Sequence, residues 1–134
     1  MLFRSQATNG LLTTADGSGI VKLQSNGVTT NSLAWINFNG TNGSARSSYN
    51  ISSVTRNGAG DYTINFSNNS SDANYSAVGS CVGGLSSYGN LYSAIVGYAG
   101  SDVPLATNSF RFLLRNYGGS NNDTTTVAMA VFGN

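Results

Sequence analysis

The chain has 134 residues, a net charge of +1 and only 8% charged side chains, against roughly 25% in an ordinary soluble domain. Ser, Thr, Asn and Gly make up half of it, and it contains no His, no Glu, one Cys and one Pro. Such a chain lacks the repulsion that keeps disordered segments open and a clustered basic face for nucleic acid, and it is short of side chains for acid–base or metal chemistry.

The length fits one domain. No apolar run approaches the roughly 20 residues of a membrane span, so no membrane insertion is expected. Met1-Leu2-Phe3-Arg4 runs straight into polar residues, unlike a signal peptide. A surface so short of charge is poorly protected against association. The expectation is a specific oligomer or a place in a larger particle.

Residues 1–32 read as an N-terminal arm or small β-meander. Short apolar pairs (Leu11-Leu12, Ile20-Val21) alternate with the turn signals Asn9-Gly10, Asp16-Gly17 and Asn26-Gly27, and residues 19–24 form a candidate strand. This segment has too little apolar area to stand alone. Residues 33–134 read as the body. In Leu33 to Asn39 the residues Ala34, Ile36 and Phe38 share one face, and Leu33 and Trp35 the other. Asn39 to Gly43 is a turn. Ala45 to Val54 reads as the next strand, with a bulge at Ser52-Ser53 where alternation breaks.

The clearest local signal follows. Val54-Thr55-Arg56 leads into Asn57-Gly58-Ala59-Gly60-Asp61 and then Tyr62-Thr63-Ile64-Asn65-Phe66, which predicts a β-hairpin. After a polar loop, Ser67 to Asp72, four further strands are expected: Tyr75 to Val82, Leu91 to Tyr98, Phe110 to Asn116 and Val127 to Phe132. Phe110, Phe112 and Leu114 share a face, as do Val127, Met129 and Val131. No window has a 3.6-residue period. Short, regularly spaced strands predict an all-β fold, an antiparallel β-sandwich or jelly-roll-like body.

The ordered motifs Ala34-Trp35-Ile36-Asn37-Phe38-Asn39-Gly40-Thr41, Arg46 to Val54, Asn57 to Phe66 and Asp72-Ala73-Asn74-Tyr75 resemble a module of tailed-bacteriophage proteins. That module is usually the C-terminal domain of tail-fibre-like proteins, and it ends in a strand like Val127 to Phe132. The likeness covers roughly residues 33–78 and the C-terminus. It implies a β-sandwich, a homotrimer and a place on the virion surface, and it carries no catalytic residues. Proteins of this type normally have a long shaft or anchor, where this chain has the arm alone. The expectation is therefore a non-enzymatic structural protein, made in the host cytoplasm, with head decoration (cement) preferred. The alternatives are a receptor-binding tail-fibre tip and, more distantly, a free carbohydrate-binding lectin. Its partners would be copies of itself, other proteins of the capsid or tail appendage and, for a fibre tip, a host surface glycan. No cofactor or metal is implied.

The candidate oligomer interface consists of Leu33, Trp35, Arg111, Leu113 and Arg115. The candidate receptor contacts are Tyr88, Tyr92, Tyr98 and Tyr117, which lie in or near Gly-rich loops, where recognition residues concentrate. Trp35 with Tyr49, Tyr62 and Tyr75 would be either a sugar platform or core and interface packing, the latter preferred. The carboxylates Asp16, Asp61, Asp72, Asp102 and Asp123 all lie in or beside turns, so turn capping is expected of them. Arg46, Arg56, Arg111 and Arg115 are candidates for Asp partners across subunits. Cys81 reads as a small buried thiol.

Overall fold

The two-residue alternation is realised as strands. The computed structural model describes residues 24–25, 28–29, 32–82, 93–96, 105–116 and 118–133. Among them β1 (Gln24–Ser25) pairs with β2 (Val28–Thr29), bracketing the Asn26-Gly27 turn signal. The body follows as β3 (Ser32–Phe38), β4 (Ala45–Tyr49), β5 (Ile51–Gly58), β6 (Asp61–Phe66), β7 (Ser76–Val82), β8 (Ser93–Val96), β9 (Ser109–Arg115) and β10 (Thr126–Phe132). No helix occurs among the described residues. The candidate strand over residues 19–24 lies almost wholly outside them.

The body strands form two antiparallel four-stranded sheets, in the orders β4-β3-β10-β7 and β5-β6-β9-β8. The two orders correspond. β4 leads to β5 and β7 to β8 at matching edges of the two sheets, β8 pairs with β9 inside the second sheet, and β9 leads to β10 at the matching place in the first. Ala34, Ile36, Phe38, Val127, Met129 and Val131 of the first sheet share one core with Tyr62, Ile64, Phe66, Phe110, Phe112 and Leu114 of the second. Phe38 meets Tyr62 edge-on across the sheets, with ring centroids 5.2 Å apart, the geometry that aromatic quadrupoles favour. The result is an all-β, sandwich-like body.

The stretch from Ala45 to Val54 is not one strand. It divides at Asn50, whose φ of 55° turns the chain from the first sheet into the second. Asn tolerates this left-handed conformation better than most residues. Here its amide also donates to the carbonyls of Leu33 and Asn68 and accepts from the Asn68 N–H. The irregularity expected at Ser52-Ser53 is present as a register shift between Ile51 and Ser53. The hairpin expected around Asn57 to Asp61 is β5–β6.

Candidate functional site

The outer faces of the two sheets differ in chemistry. The four strands of the first sheet contain one charged residue, Arg46, at their border. Its guanidinium donates to Asn37 Oδ1 and to the Thr125 carbonyl. In the second sheet Asp61, Arg111 and Arg115 lie on the face opposite the core, and Arg56 stands at the sheet's end on the side of Tyr62.

Register assembles the outer face of the first sheet. Tyr49 pairs with Trp35, Trp35 with Ala130, and Ala130 with Val78, so an apolar row crosses all four strands. The next outward row is Ser47, Asn37, Ala128 and Ser80. Trp35, Tyr49, Val78, Val82 and Phe132 are the large exposed apolar side chains of the described residues, between 39% and 57% accessible. Between Trp35 and Asn37 on β3 and Val78 and Ser80 on β7 runs an open trough of about 390 Å³, with Ala128 and Ala130 of β10 between them. Gly79 turns inward there, and a Cβ on it would collide with the Met129 sulfur.

At one end of the body a polar network binds three segments. Asp123 accepts from the Arg56 guanidinium (Nη2–Oδ2 2.6 Å), the Gly60 amide at 2.8 Å and the Tyr62 hydroxyl at 2.6 Å. Burial pushes the Asp123 carboxyl up, but these three donors outweigh it and hold the group below the usual carboxylate range. Burial, and after it the neighbouring Asp123 carboxylate, pushes the Tyr62 phenol well above its ordinary value. Asp61, 7% exposed, forms a two-pronged pair with Arg111 (Nε–Oδ1 2.8 Å). The Arg111 hydrogen bonds, against the opposing effect of burial, keep Asp61 low as well, with help from Asn57.

These contacts correct several expectations. Asp61 and Asp123 make tertiary ion pairs, whereas Asp72 does cap its own turn by accepting from the Asn74 N–H. Asp16 and Asp102 lie outside the described residues. Leu113 cannot belong to an oligomer interface, because it is 1% exposed within the single chain. Arg111, expected beside it, is engaged with Asp61, and Arg115 donates to Asn121 Oδ1. Leu33 is half buried against the core, although alternation set it on the outer face with Trp35. Of that interface set, Trp35 remains on an exposed face.

Of the four ring candidates, Tyr62 and Tyr75 are core residues, while Trp35 and Tyr49 are exposed cross-strand neighbours. Tyr88, Tyr92, Tyr98 and Tyr117 lie outside the described residues. Cys81 is half buried against the core, and burial pushes its thiol up, away from thiolate reactivity. Sequence reasoning grouped Tyr49 with Trp35 but missed Val78 on the same face. The two-residue spacing that puts Val78, Ser80 and Val82 on one face was a legible signal, but the pairing of β7 with β10 was not.

Comparison of the chain with protein-family models, curated proteins and solved structures produced no match.

Proposed function

We propose that this chain is a non-enzymatic structural module of a tailed-phage virion surface, a homotrimer with a jelly-roll-like body seated on the head shell. The observation that carries the reading is the first sheet's outer face, where an apolar row bears one bordering charge and large exposed side chains. An exposed apolar patch with a polar border is the kind of surface at which proteins meet partners.

The resemblance noted in the sequence supports the phage assignment, and the motif residues behave as structural devices. Asn39 organises the β3–β4 turn by accepting from Thr41, Asn50 makes the corner, Asp61 and Tyr62 anchor the second sheet, and Asp72 caps a turn. A non-catalytic role is supported by Asp61 and Asp123, each held by an arginine as a stable anion, unlike a general acid.

Light scattering during size-exclusion chromatography tests the assembly. The expected mass is three times that of the 13.9 kDa chain, with Trp35→Ser reducing it to monomer or causing aggregation. A well-behaved Trp35→Ser trimer would remove the face from the argument. Cryo-electron microscopy of the particle tests the location. Density at three-fold or quasi-three-fold positions of the head is expected, and density at the end of a tail appendage would overturn the head placement in favour of an adhesin.

A further inference from the structure

We infer that the first sheet continues from one copy of this chain into the next, with β7 of one copy pairing antiparallel to β4 of its neighbour. The inference rests on the homotrimer proposed above and adds which strands join. It begins with the four sheet edges, because an open edge offers its N–H and C=O groups to another strand unless something guards it. Those of the second sheet are guarded. β5 has two register shifts and Arg56 near its end, and β8 is only four residues long. β7 has none of these devices. Its seven residues contain no charge and no Pro, and they pair with β10 without a break. Gly79 is exposed even though Met129 fills the space on its inner side. β4, at the opposite edge, is exposed along its whole length and shifts register only at its Ala45 end. Its one charge, Arg46, leans back over the sheet to Asn37 and the Thr125 carbonyl.

Backbone direction identifies the groups that face the open edges. The Leu33 carbonyl accepts from Asn50 on the β4 side of β3, and the Val131 carbonyl accepts from Ser32 on the β3 side of β10. Peptide groups alternate sides along a strand. In the paired register, Ala77, Gly79 and Cys81 of β7 and Ser48 of β4 therefore direct theirs to the open edges. On both edges these are core-side positions, so joining them keeps Tyr49, Val78 and Ser80 on one outer face.

Topology chooses the partner. Three antiparallel steps separate β4 from β7, so the two run in opposite directions. A neighbour related by rotation about an axis along the strands thus presents β4 antiparallel to β7. Such a join is heterologous and closes into a ring when the rotation allows, with no edge of this sheet left open. Pairing β7 with another β7 would leave both β4 edges unpaired. Three four-stranded sheets make a ring of twelve strands, with a radius of about 9 Å for upright strands and about 12 Å at ordinary barrel tilt. The second sheet of each copy packs about 10 Å away and finds no room inside. It stands outside, and the face with Trp35 turns toward the axis.

The test blocks one edge at a time. Ala77→Pro and Cys81→Pro remove N–H groups that face the open β7 edge, and Ser48→Pro does the same on β4, so none removes a ladder bond within the folded monomer. Circular dichroism checks that each variant is folded, and sedimentation velocity reads assembly. The expected result is a trimeric wild type and about tenfold or greater weakening of association in each folded Pro variant. Mixing Ala77→Pro with Ser48→Pro should give heterodimers, since each supplies the edge that the other lacks. Amide hydrogen exchange on the wild type needs no variant, and the amides of Ser48, Ala77, Gly79 and Cys81 should slow on assembly. If the Pro variants assemble like a trimeric wild type whose edge amides stay unprotected, this inference falls alone. If Ser48→Pro still pairs with itself through β7, the partner is another β7 and the join is overturned. If the wild type is monomeric, the homotrimer falls with it.

Discussion

The Tyr62 hydroxyl lies 2.6 Å from Asp123 Oδ1 and 2.9 Å from the Gly40 carbonyl oxygen. One O–H thus stands between two acceptors from distant segments, the β3–β4 turn and the approach to β10, while its ring packs between Phe38 and Phe112. Tyr62→Phe keeps the ring and removes the link. Asp123 retains Arg56 and the Gly60 amide, so no carboxylate is orphaned. The expected loss is about 1–3 kcal/mol, read from urea unfolding midpoints at unchanged slope.

Acid should weaken the fold through the same groups. Asp61 and Asp123 are depressed in the folded chain, so each contributes stability above its unfolded pKa and loses it as pH falls through the folded value. With no His in the sequence, stability should be nearly flat from about pH 5 to 8 and decline below about pH 4. Tyr62 has the opposite sign. Its raised phenol contributes below its unfolded pKa, and that contribution is lost as pH rises through the folded value. Thermal melts across pH check both limbs. A decline centred near pH 6 would contradict the assignment.

Arg111→Ala would strip Asp61 of its two-pronged partner at a position only 7% exposed. The Arg111 side chain is partly solvated, so the cost should fall below the 3–5 kcal/mol of a fully buried pair, at about 2 kcal/mol. Asp61→Asn combined with Arg111→Ala should cost less than the sum of the two single changes. A double-mutant cycle in urea measures the coupling.

Glycine is required at position 60 and not at position 58. Gly60 has φ of 61°, and a Cβ there would lie 2.5 Å from the Asn122 nitrogen and 2.7 Å from the Leu114 oxygen. Gly58 has open space around it and no positive φ. Gly60→Ala should destabilise by more than about 2 kcal/mol, and Gly58→Ala should change stability by less than about 1 kcal/mol. Melting temperatures of the pair read the contrast directly.

Asn50 combines a left-handed conformation with side-chain bonds to Leu33 and Asn68. Asn50→Gly keeps the conformation and loses the bonds, while Asn50→Ala loses both. The expected order of stability is wild type, then Gly, then Ala, with Ala lower by about 2–3 kcal/mol. Equal losses in the two variants would assign the whole effect to the bonds.

Much of the fold was legible in the chain because alternation is a local property. Ala34, Ile36 and Phe38, Phe110, Phe112 and Leu114, and Val127, Met129 and Val131 point inward as their spacing predicts, and the turn chemistry of Asn57 to Gly60 marks a real hairpin. Alternation cannot reveal what covers the second face of a strand. Leu113 and Trp35 both lie on the face opposite the core, yet one is fully buried and the other exposed. The Asp residues misled for a related reason. Their place beside turns suggested local capping, but Arg111 reaches Asp61 from fifty positions away and Arg56 reaches Asp123 from sixty-seven.

The sequence alone determined the strands, the inward faces and the scarcity of charge, since each depends on residues within a few positions of one another. Only the tertiary structure decided which arginine meets which aspartate. It also decided that Tyr49, Trp35, Ala130 and Val78 form one row, because strand order and register join residues the chain keeps far apart.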